Sequence, residues 1–356
     1  MVVGIIGGGQ LGMMLAEALL KKGISSIALD PNENCSCKHV CKEIIVSEYN
    51  NKEKLEELAK KCDVLTYEFE NIKSENLEFL VKNYNLKQGI KQLYISQDRL
   101  REKEFARKNG LNTPKYYEVN SLEEAKKGLE YVKYPAVLKT RTMGYDGHGQ
   151  HIIRSEEDLL KVNDFSNMIL EEFIKYDYET SIIMIRDNDD IVSLPMGVNI
   201  HKDNVLDIVD VSSEKEIFNE IKKDSYEFLK KADFKGIITI EFFVKGDTYY
   251  FNEIAPRPHN SGHFSIEACD KSQYELLADY LIGNKLTEPK LLHKAIMKNI
   301  LGFDYLKIVD FENVNNCFVH DYHKKDIKNM RKMAHLTFLD IEYDEFIDKY
   351  NNKFER

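Results

Sequence analysis

Two carboxylates on one hairpin are the strongest chemical signal in this chain. Gly236 to Val244 reads as a buried strand with Glu241 inside it. Lys245-Gly246-Asp247 reads as a turn, and Thr248 to Phe251 as the returning strand, which runs into Asn252-Glu253. Folding about the turn sets Glu241 and Glu253 approximately opposite each other, and opposed residues on paired strands lie ~4.5–5.5 Å apart at Cβ. Two like charges that close are unfavourable without a cation between them. Glu241, Glu253 and Asn252 are therefore expected to form a hard-cation site of oxygen ligands, suited to Mg²⁺ and nucleotide phosphates. The apolar residues on either side of Glu241 argue against two carboxylates on a solvated face.

A second signal is Lys139, at the end of the apolar run Tyr134-Pro135-Ala136-Val137-Leu138 and just before a loop, Thr140 to Gln150, that holds Gly144, Gly147 and Gly149. A lysine at a strand end beside a flexible glycine loop suits a nucleotide phosphate covered by a lid. Glu171-Glu172 and Glu179 follow at a spacing that would bring a carboxylate near a ribose. A third signal is Gly7, Gly9 and Gly12, a G-x-G-x-x-G between an apolar run and a helical pattern, with Asp30 18 residues beyond Gly12. That context fits a dinucleotide site, and it equally fits a tight strand-to-helix turn.

The elements that must position these groups alternate in type. Val2 to Ile6, Ile24 to Leu29 and Val64 to Tyr67 read as strands, with helices over Met13 to Lys22 and Lys52 to Lys61. This βαβ order predicts a parallel sheet with right-handed crossovers. A charged helix runs from Asp98 to Gly110. Strands follow at Tyr134 to Lys139, Ile169 to Ile174, Glu179 to Arg186 and Ile191 to Met196. A helix near Glu216 to Lys231 precedes the hairpin, and short strands with a basic patch, Lys328 to Lys332, close the chain. The expected fold class is α/β, with an N-terminal Rossmann-like domain over residues 1–97, a central domain over 98–290 whose lid spans about 115–170, and a C-terminal subdomain over 291–356.

Composition narrows the partners. The 356 residues carry a formal net charge of −10, a poor balance for binding nucleic acid through phosphate neutralisation. No apolar run reaches the ~18 residues a membrane span needs. The N-terminal segment reads as a buried strand rather than a secretion signal. Six cysteines in a chain this long do not form a disulfide framework, and a reducing cytoplasm is expected. Cys35, Cys37 and Cys41 lack the spacing of a zinc pair, and Glu214 to Lys223 reads as a solvated helix face.

Four stretches together resemble the ATP-grasp ligases, and within them the 5-(carboxyamino)imidazole ribonucleotide synthase family. They are Gly7-Gly8-Gly9-Gln10-Leu11-Gly12, Thr66-Tyr67-Glu68-Phe69-Glu70-Asn71, Arg141 to Gln150, and Asn252-Glu253-Ile254-Ala255-Pro256-Arg257-Pro258-His259-Asn260-Ser261-Gly262-His263. Arg331-Lys332 and His335 fit the family's C-terminal pattern, so the resemblance covers nearly the whole chain. It implies ATP- and bicarbonate-dependent carboxylation of 5-aminoimidazole ribonucleotide by way of carboxyphosphate, with ADP and phosphate released. It also implies Mg²⁺, with Mn²⁺ as an alternative ion, small-molecule substrates and a homodimer.

By position, the resemblance implies that Arg99 and Lys139 contact ATP phosphates, with Asn252 also on the ATP. Glu171 would sit by the adenine, Glu179 by the ribose, and Glu241 and Glu253 on the metal. Arg257 would stabilise phosphoryl and carboxyphosphate oxygens. Tyr145, Asp146, His148, His259, Asn260, Arg331 and Lys332 would surround the ribonucleotide, with Asp146 taking the proton from the amine and Lys332 counted among the catalytic groups. Gln10 and Glu70 would face the same substrate, and the first glycine loop would bind no NAD.

Four positions depart from the family pattern. Met143, Met330 and Ala334 stand where glycines are common, and His148 where an arginine or lysine is usual. The alternatives are another ATP-grasp carboxylate–amine ligase, such as the formate-dependent purine type, an NAD-dependent oxidoreductase built on Gly7, Gly9, Gly12 and Asp30, and a noncatalytic nucleotide-binding subunit.

Overall fold

The computed structural model of the chain describes residues 1–142, 149–188 and 190–354. Strands β1 (Val2–Ile6), β2 (Ser25–Asp30), β3 (Glu43–Val46) and β4 (Val64–Tyr67) form a parallel sheet in the order β3-β2-β1-β4. The βαβ order foresaw three of these strands. The short β3, with one buried residue of four, carries too weak a pattern to read. The first glycine loop turns β1 into helix Gln10–Lys21. Gly7 takes φ +107° there, and a Cβ would stand 2.7 Å from a Glu68 carboxylate oxygen.

A second, antiparallel sheet is built from β5 (Tyr116–Val119), β6 (Ala136–Thr140), β7 (Gln150–Ile153) and β8 (Met168–Glu172), in the order β5-β8-β6-β7. The third sheet is the largest. It comprises β9 (Tyr178–Asp187), β10 (Asp190–Ser193), β11 (Gly197–Lys202), β12 (Val205–Asp210), β13 (Gly236–Lys245), β14 (Thr248–Ala255), β15 (Ala295–Leu301), β16 (Cys317–Asp321) and β17 (Lys332–Leu339). Its order is β14-β13-β9-β11-β12-β15-β17-β16, with β10 on β9.

The C-terminal strands therefore continue the central sheet through the β12–β15 pair, rather than folding as a separate sheet. A boundary near residue 290 marks a change of chain segment and not a break in hydrogen bonding. The N-terminal sheet is tied to the rest by helix packing. Helix Gln10–Lys21 and helix Gln273–Ile282 share one core in which Met14, Leu15 and Leu19 meet Ile183, Ile237 and Leu277. Helix Gln273–Ile282 is fixed at both ends, by a Ser272–Glu275 capping box and by Gly283 in a left-handed conformation, φ +81°. Such caps satisfy the backbone groups a helix end leaves open. Among the described residues no helix is long and apolar enough to cross a membrane.

Candidate active site

A cleft of about 930 Å³ lies between the small antiparallel sheet and the large sheet. It collects residues from β6, β7 and β8 on one side and from β9, β11, β13 and β14 on the other. Of the residues singled out from sequence, Glu70, Arg99, Lys139, Glu171, Glu179, Glu241, Asn252, Glu253, Arg257, His259 and Lys332 all line it. Tyr145, Asp146 and His148, with Met143, lie outside the described residues.

The hairpin carries a correction to the simple opposed pairing. Ile240 pairs with Ile254, but Phe242 pairs with Phe251, so one residue of β13 faces two of β14. That bulge sets Glu241 against Asn252-Glu253 together. A bulge bends the strand and re-aims its side chains, and here Glu241, Asn252 and Glu253 all line the cleft. His259 Nε2 lies 3.0 Å from Glu241 Oε1. Burial would raise the Glu241 carboxyl, but His259 and then His201 and Arg257 hold it down at about 2. Glu253 goes the other way, to about 7, through burial and the neighbouring charge of Glu241, against which Arg99 and Lys139 act only in part.

This asymmetry is what a cation would relieve. No cluster of three or more His, Cys, Asp or Glu side chains with metal-holding geometry occurs among the described residues. Two carboxylates and Asn252 nevertheless fit Mg²⁺, which usually takes one or two carboxylates and completes its shell with water and substrate phosphates.

The phosphate side is pre-paired. Lys139 Nζ donates to Glu171 Oε2 at 3.0 Å, and Lys103 Nζ lies 3.4 Å from the same oxygen. Burial alone would raise Glu171, yet Lys103 and Lys139 bring it down to about 2. Glu171 thus anchors Lys103 and Lys139 while itself lining the cleft. Its other oxygen is buried without a hydrogen-bond partner. Arg99 is set by its helix. Asp98 caps helix Arg99–Lys108 by accepting from Leu100 N and Arg101 N, and Arg141 clamps Asp98 at 2.7 Å. Arg99 itself donates to the Thr140 carbonyl at 3.3 Å. Tyr176 stacks on Phe243 with centroids 4.8 Å apart, and with Ile152 and Phe173 supplies an apolar wall. Glu179 lies 3.5 Å from His201, and burial raises its carboxyl.

On the far side of the cleft, Arg257 donates to Glu70 at 2.6 Å. This joins the hairpin's trailing segment to the loop after β4. Glu68 accepts from Gly9 N at 2.8 Å, and burial pushes its carboxyl up to about 7. Lys324, half-buried near Arg331 and Lys332, falls to about 7, chiefly by desolvation.

Three candidates lie apart from the cleft. Asn260 forms a reciprocal amide pair with Asn299, at 2.9 and 2.6 Å. Arg331 donates to the Asp326 carbonyl. Gln10 begins its helix beside Gly9 without lining the cleft. Met330, at a position usually glycine, keeps the left-handed conformation a glycine would take, φ +63°.

The reading from sequence missed Glu102, Lys103, Tyr176, His201, Phe243 and Lys324. The first two had no visible signal, because helix Arg99–Lys108 is charged on every face.

The nicotinamide reading fails on geometry. Gly8 N donates to Asp30 Oδ2 at 2.8 Å, and Gly9 N to Glu68. Tyr49 and Asn32 N occupy the rest of Asp30. The Gly8 and Gly9 amides are thus spent on the chain's own carboxylates, which put negative charge where a pyrophosphate would sit.

Comparison with known proteins agrees segment by segment. Residues 1–97 match the ribonucleotide synthetase preATP-grasp domain. Residues 104–274 match the ATP-grasp domain, and 295–349 the phosphoribosylaminoimidazole carboxylase C-terminal domain. An N5-carboxyaminoimidazole ribonucleotide synthase from Staphylococcus aureus is 38% identical over 99% of this chain and 96% of its own length.

The chain belongs to the N5-carboxyaminoimidazole ribonucleotide synthase family of ATP-grasp ligases.

Among solved members, the Staphylococcus aureus synthetase complexed with ADP superposes with a TM-score of 0.94 at 37% identity, covering 99% of this chain and 97% of that one. The Aspergillus clavatus synthase complexed with ATP gives a TM-score of 0.88 at 27% identity, with 95% and 93% covered. The chain is thus an ATP-grasp ligase of this family, built on the parallel-sheet domain and nucleotide cleft described above.

Proposed function

We propose that this ligase uses ATP and bicarbonate to carboxylate the exocyclic amine of 5-aminoimidazole ribonucleotide, releasing ADP and phosphate. One observation carries the reading in a chain of this family: the β13–β14 bulge faces Glu241 with Asn252-Glu253 in the cleft that also holds Lys139 and Arg257. Arg99 and Lys139 bind ATP phosphates. The wall of Tyr176, Phe243, Phe173 and Ile152 takes the base, and Glu179 takes the ribose. Mg²⁺, or Mn²⁺, held by Glu241, Glu253 and Asn252, would offset the charge of the transferring phosphoryl group.

Bicarbonate attacks the γ-phosphoryl group, and Arg257 matches the resulting oxygens with a planar, bidentate donor. Glu70 fixes the guanidinium in place for this. His259 and Lys332 face the ribonucleotide. The resemblance assigns Tyr145, Asp146 and His148 to the same substrate, with Asp146 accepting the amine proton. The lid over about 115–170, closing on the cleft, keeps water from carboxyphosphate.

The three-part division at residues 97 and 290 belongs to this proposal, as does a cytoplasmic setting, supported by six unpaired thiols. The homodimer is supported by an exposed stripe on the 3₁₀ helix Gly302–Phe311. Phe303, Leu306 and Val309 recur every three residues there, the period of that helix, and are 60–65% exposed. Sedimentation of the intact chain tests it.

The deciding experiment is ADP release from Mg²⁺-ATP and bicarbonate, with and without the ribonucleotide. Strong stimulation is expected. ATP cleavage without stimulation would keep the ATP-grasp assignment and overturn the acceptor.

A further inference from the structure

Helix Arg99–Lys108 buries two adjacent charged side chains, Glu102 and Lys103, each 2% exposed. Neighbouring positions on a helix point ~100° apart, so burying both needs a specific partner for each. They share one. Glu102 Oε1 accepts from Ile254 N at 2.6 Å, and Lys103 Nζ donates to the Asn252 carbonyl at 2.7 Å. These two backbone groups bracket Glu253. They lie on β14, the end strand of the large sheet, which has no strand neighbour on its outer side among the described residues. Lys103 also reaches Glu171 Oε2, the oxygen that holds Lys139. One ammonium therefore ties the carboxylate strand of the large sheet to the lysine of the small sheet.

Stability does not account for this arrangement. Buried ion pairs lose in desolvation most of what they gain in attraction, and apolar replacements of similar volume are often as stable. What hydrogen-bonded buried groups supply is position. We infer that Glu102 and Lys103 are positioning residues that fix the Asn252-Glu253 bulge relative to Lys139, so that a divalent cation on the carboxylates and nucleotide phosphates on the lysine meet at a set separation. The inference rests on the metal–nucleotide reading above. Its ligand is the divalent-cation complex of a nucleoside diphosphate or triphosphate.

The test is calorimetric binding of ADP to the full chain, once with Mg²⁺ and once with EDTA. In the unaltered protein Mg²⁺ tightens binding. Losing the partner of a buried donor in Glu102→Leu should cut that Mg²⁺-dependent gain about tenfold, with metal-free ADP affinity changed less than about threefold. Glu102→Gln, which keeps an acceptor for Ile254 N, should restore most of the gain. Lys103→Met should behave as Glu102→Leu, and serves where that variant does not fold. An undiminished gain in folded Glu102→Leu or Lys103→Met overturns the positioning role while leaving the metal site standing. A Glu102→Gln variant as impaired as Glu102→Leu also overturns it. No Mg²⁺ gain in the unaltered protein would instead remove the metal reading itself, and the inference with it.

Discussion

Two regions of this protein pair carboxylates beside a glycine loop or a tight turn, and they do opposite things with them. At the N-terminal loop, Asp30 and Glu68 accept from Gly8 N and Gly9 N. At the hairpin, Glu241 and Glu253 crowd one bulge, with His259 serving the first and the charge of the first raising the second. The N-terminal pair closes an anion site with the chain's own anions. The hairpin pair leaves a surplus of negative charge that a cation from outside can meet. Both pairs are carboxylates, and the difference lies in whether the nearest donors come from the backbone.

The largest effect should come from breaking the hairpin side. Glu253→Gln is expected to reduce Mg²⁺-dependent ADP release by on the order of a thousandfold, the scale of losing a metal's several kcal/mol of charge stabilisation. Its melting temperature should stay close to that of the unaltered chain. Normal turnover would end the metal assignment. Next, Lys332→Ala should raise the apparent Michaelis constant for the ribonucleotide by roughly tenfold or more while leaving that for ATP nearly unchanged, given the 1.5–3 kcal/mol typical of a hydrogen bond to a charged group. Equal shifts in both constants would take Lys332 out of the ribonucleotide site.

Stability against pH sharpens the comparison. Glu171, depressed from 4.5 to about 2 by Lys103 and Lys139, adds stability that is present above about 4.5 and lost as pH falls toward 2. Glu68, raised from 4.5 to about 7 by burial, binds its proton more tightly in the folded chain, so its contribution declines as pH rises from about 4.5 to 7. Each is worth on the order of 3 kcal/mol across its window. Denaturant midpoints should show Glu68→Gln flattening the upper window and Glu171→Gln the lower one. The reverse pattern would contradict the electrostatics of both regions.

The smallest expectation is a null. Mixing the protein with reduced nicotinamide dinucleotide should leave the cofactor's fluorescence unchanged, since Asp30 and Glu68 already hold the Gly8 and Gly9 amides. A saturable change would reopen that site.

The sequence by itself determined a good deal here. Periodicity and turn residues were enough for the parallel βαβ start and for the 236–255 hairpin, because local pattern decides both. Motif chemistry reached Lys139, Glu241 and Glu253, since phosphate and metal sites favour those residue types near glycine turns, and the family resemblance added Arg257. Tertiary structure alone decided the rest. The bulge between Ile240 and Phe242 is a one-residue slip that no local pattern announces, yet it is what sets Glu241 against both Asn252 and Glu253. Glu102 and Lys103 look like a solvated helix face until β14 and β8 are packed against them. The G-x-G-x-x-G reads as an open anion cradle until Asp30 and Glu68, brought from 22 and 59 residues away, fill it. In each case the missing information was which distant group arrives, and that depends on how three sheets are assembled rather than on any one segment's preferences.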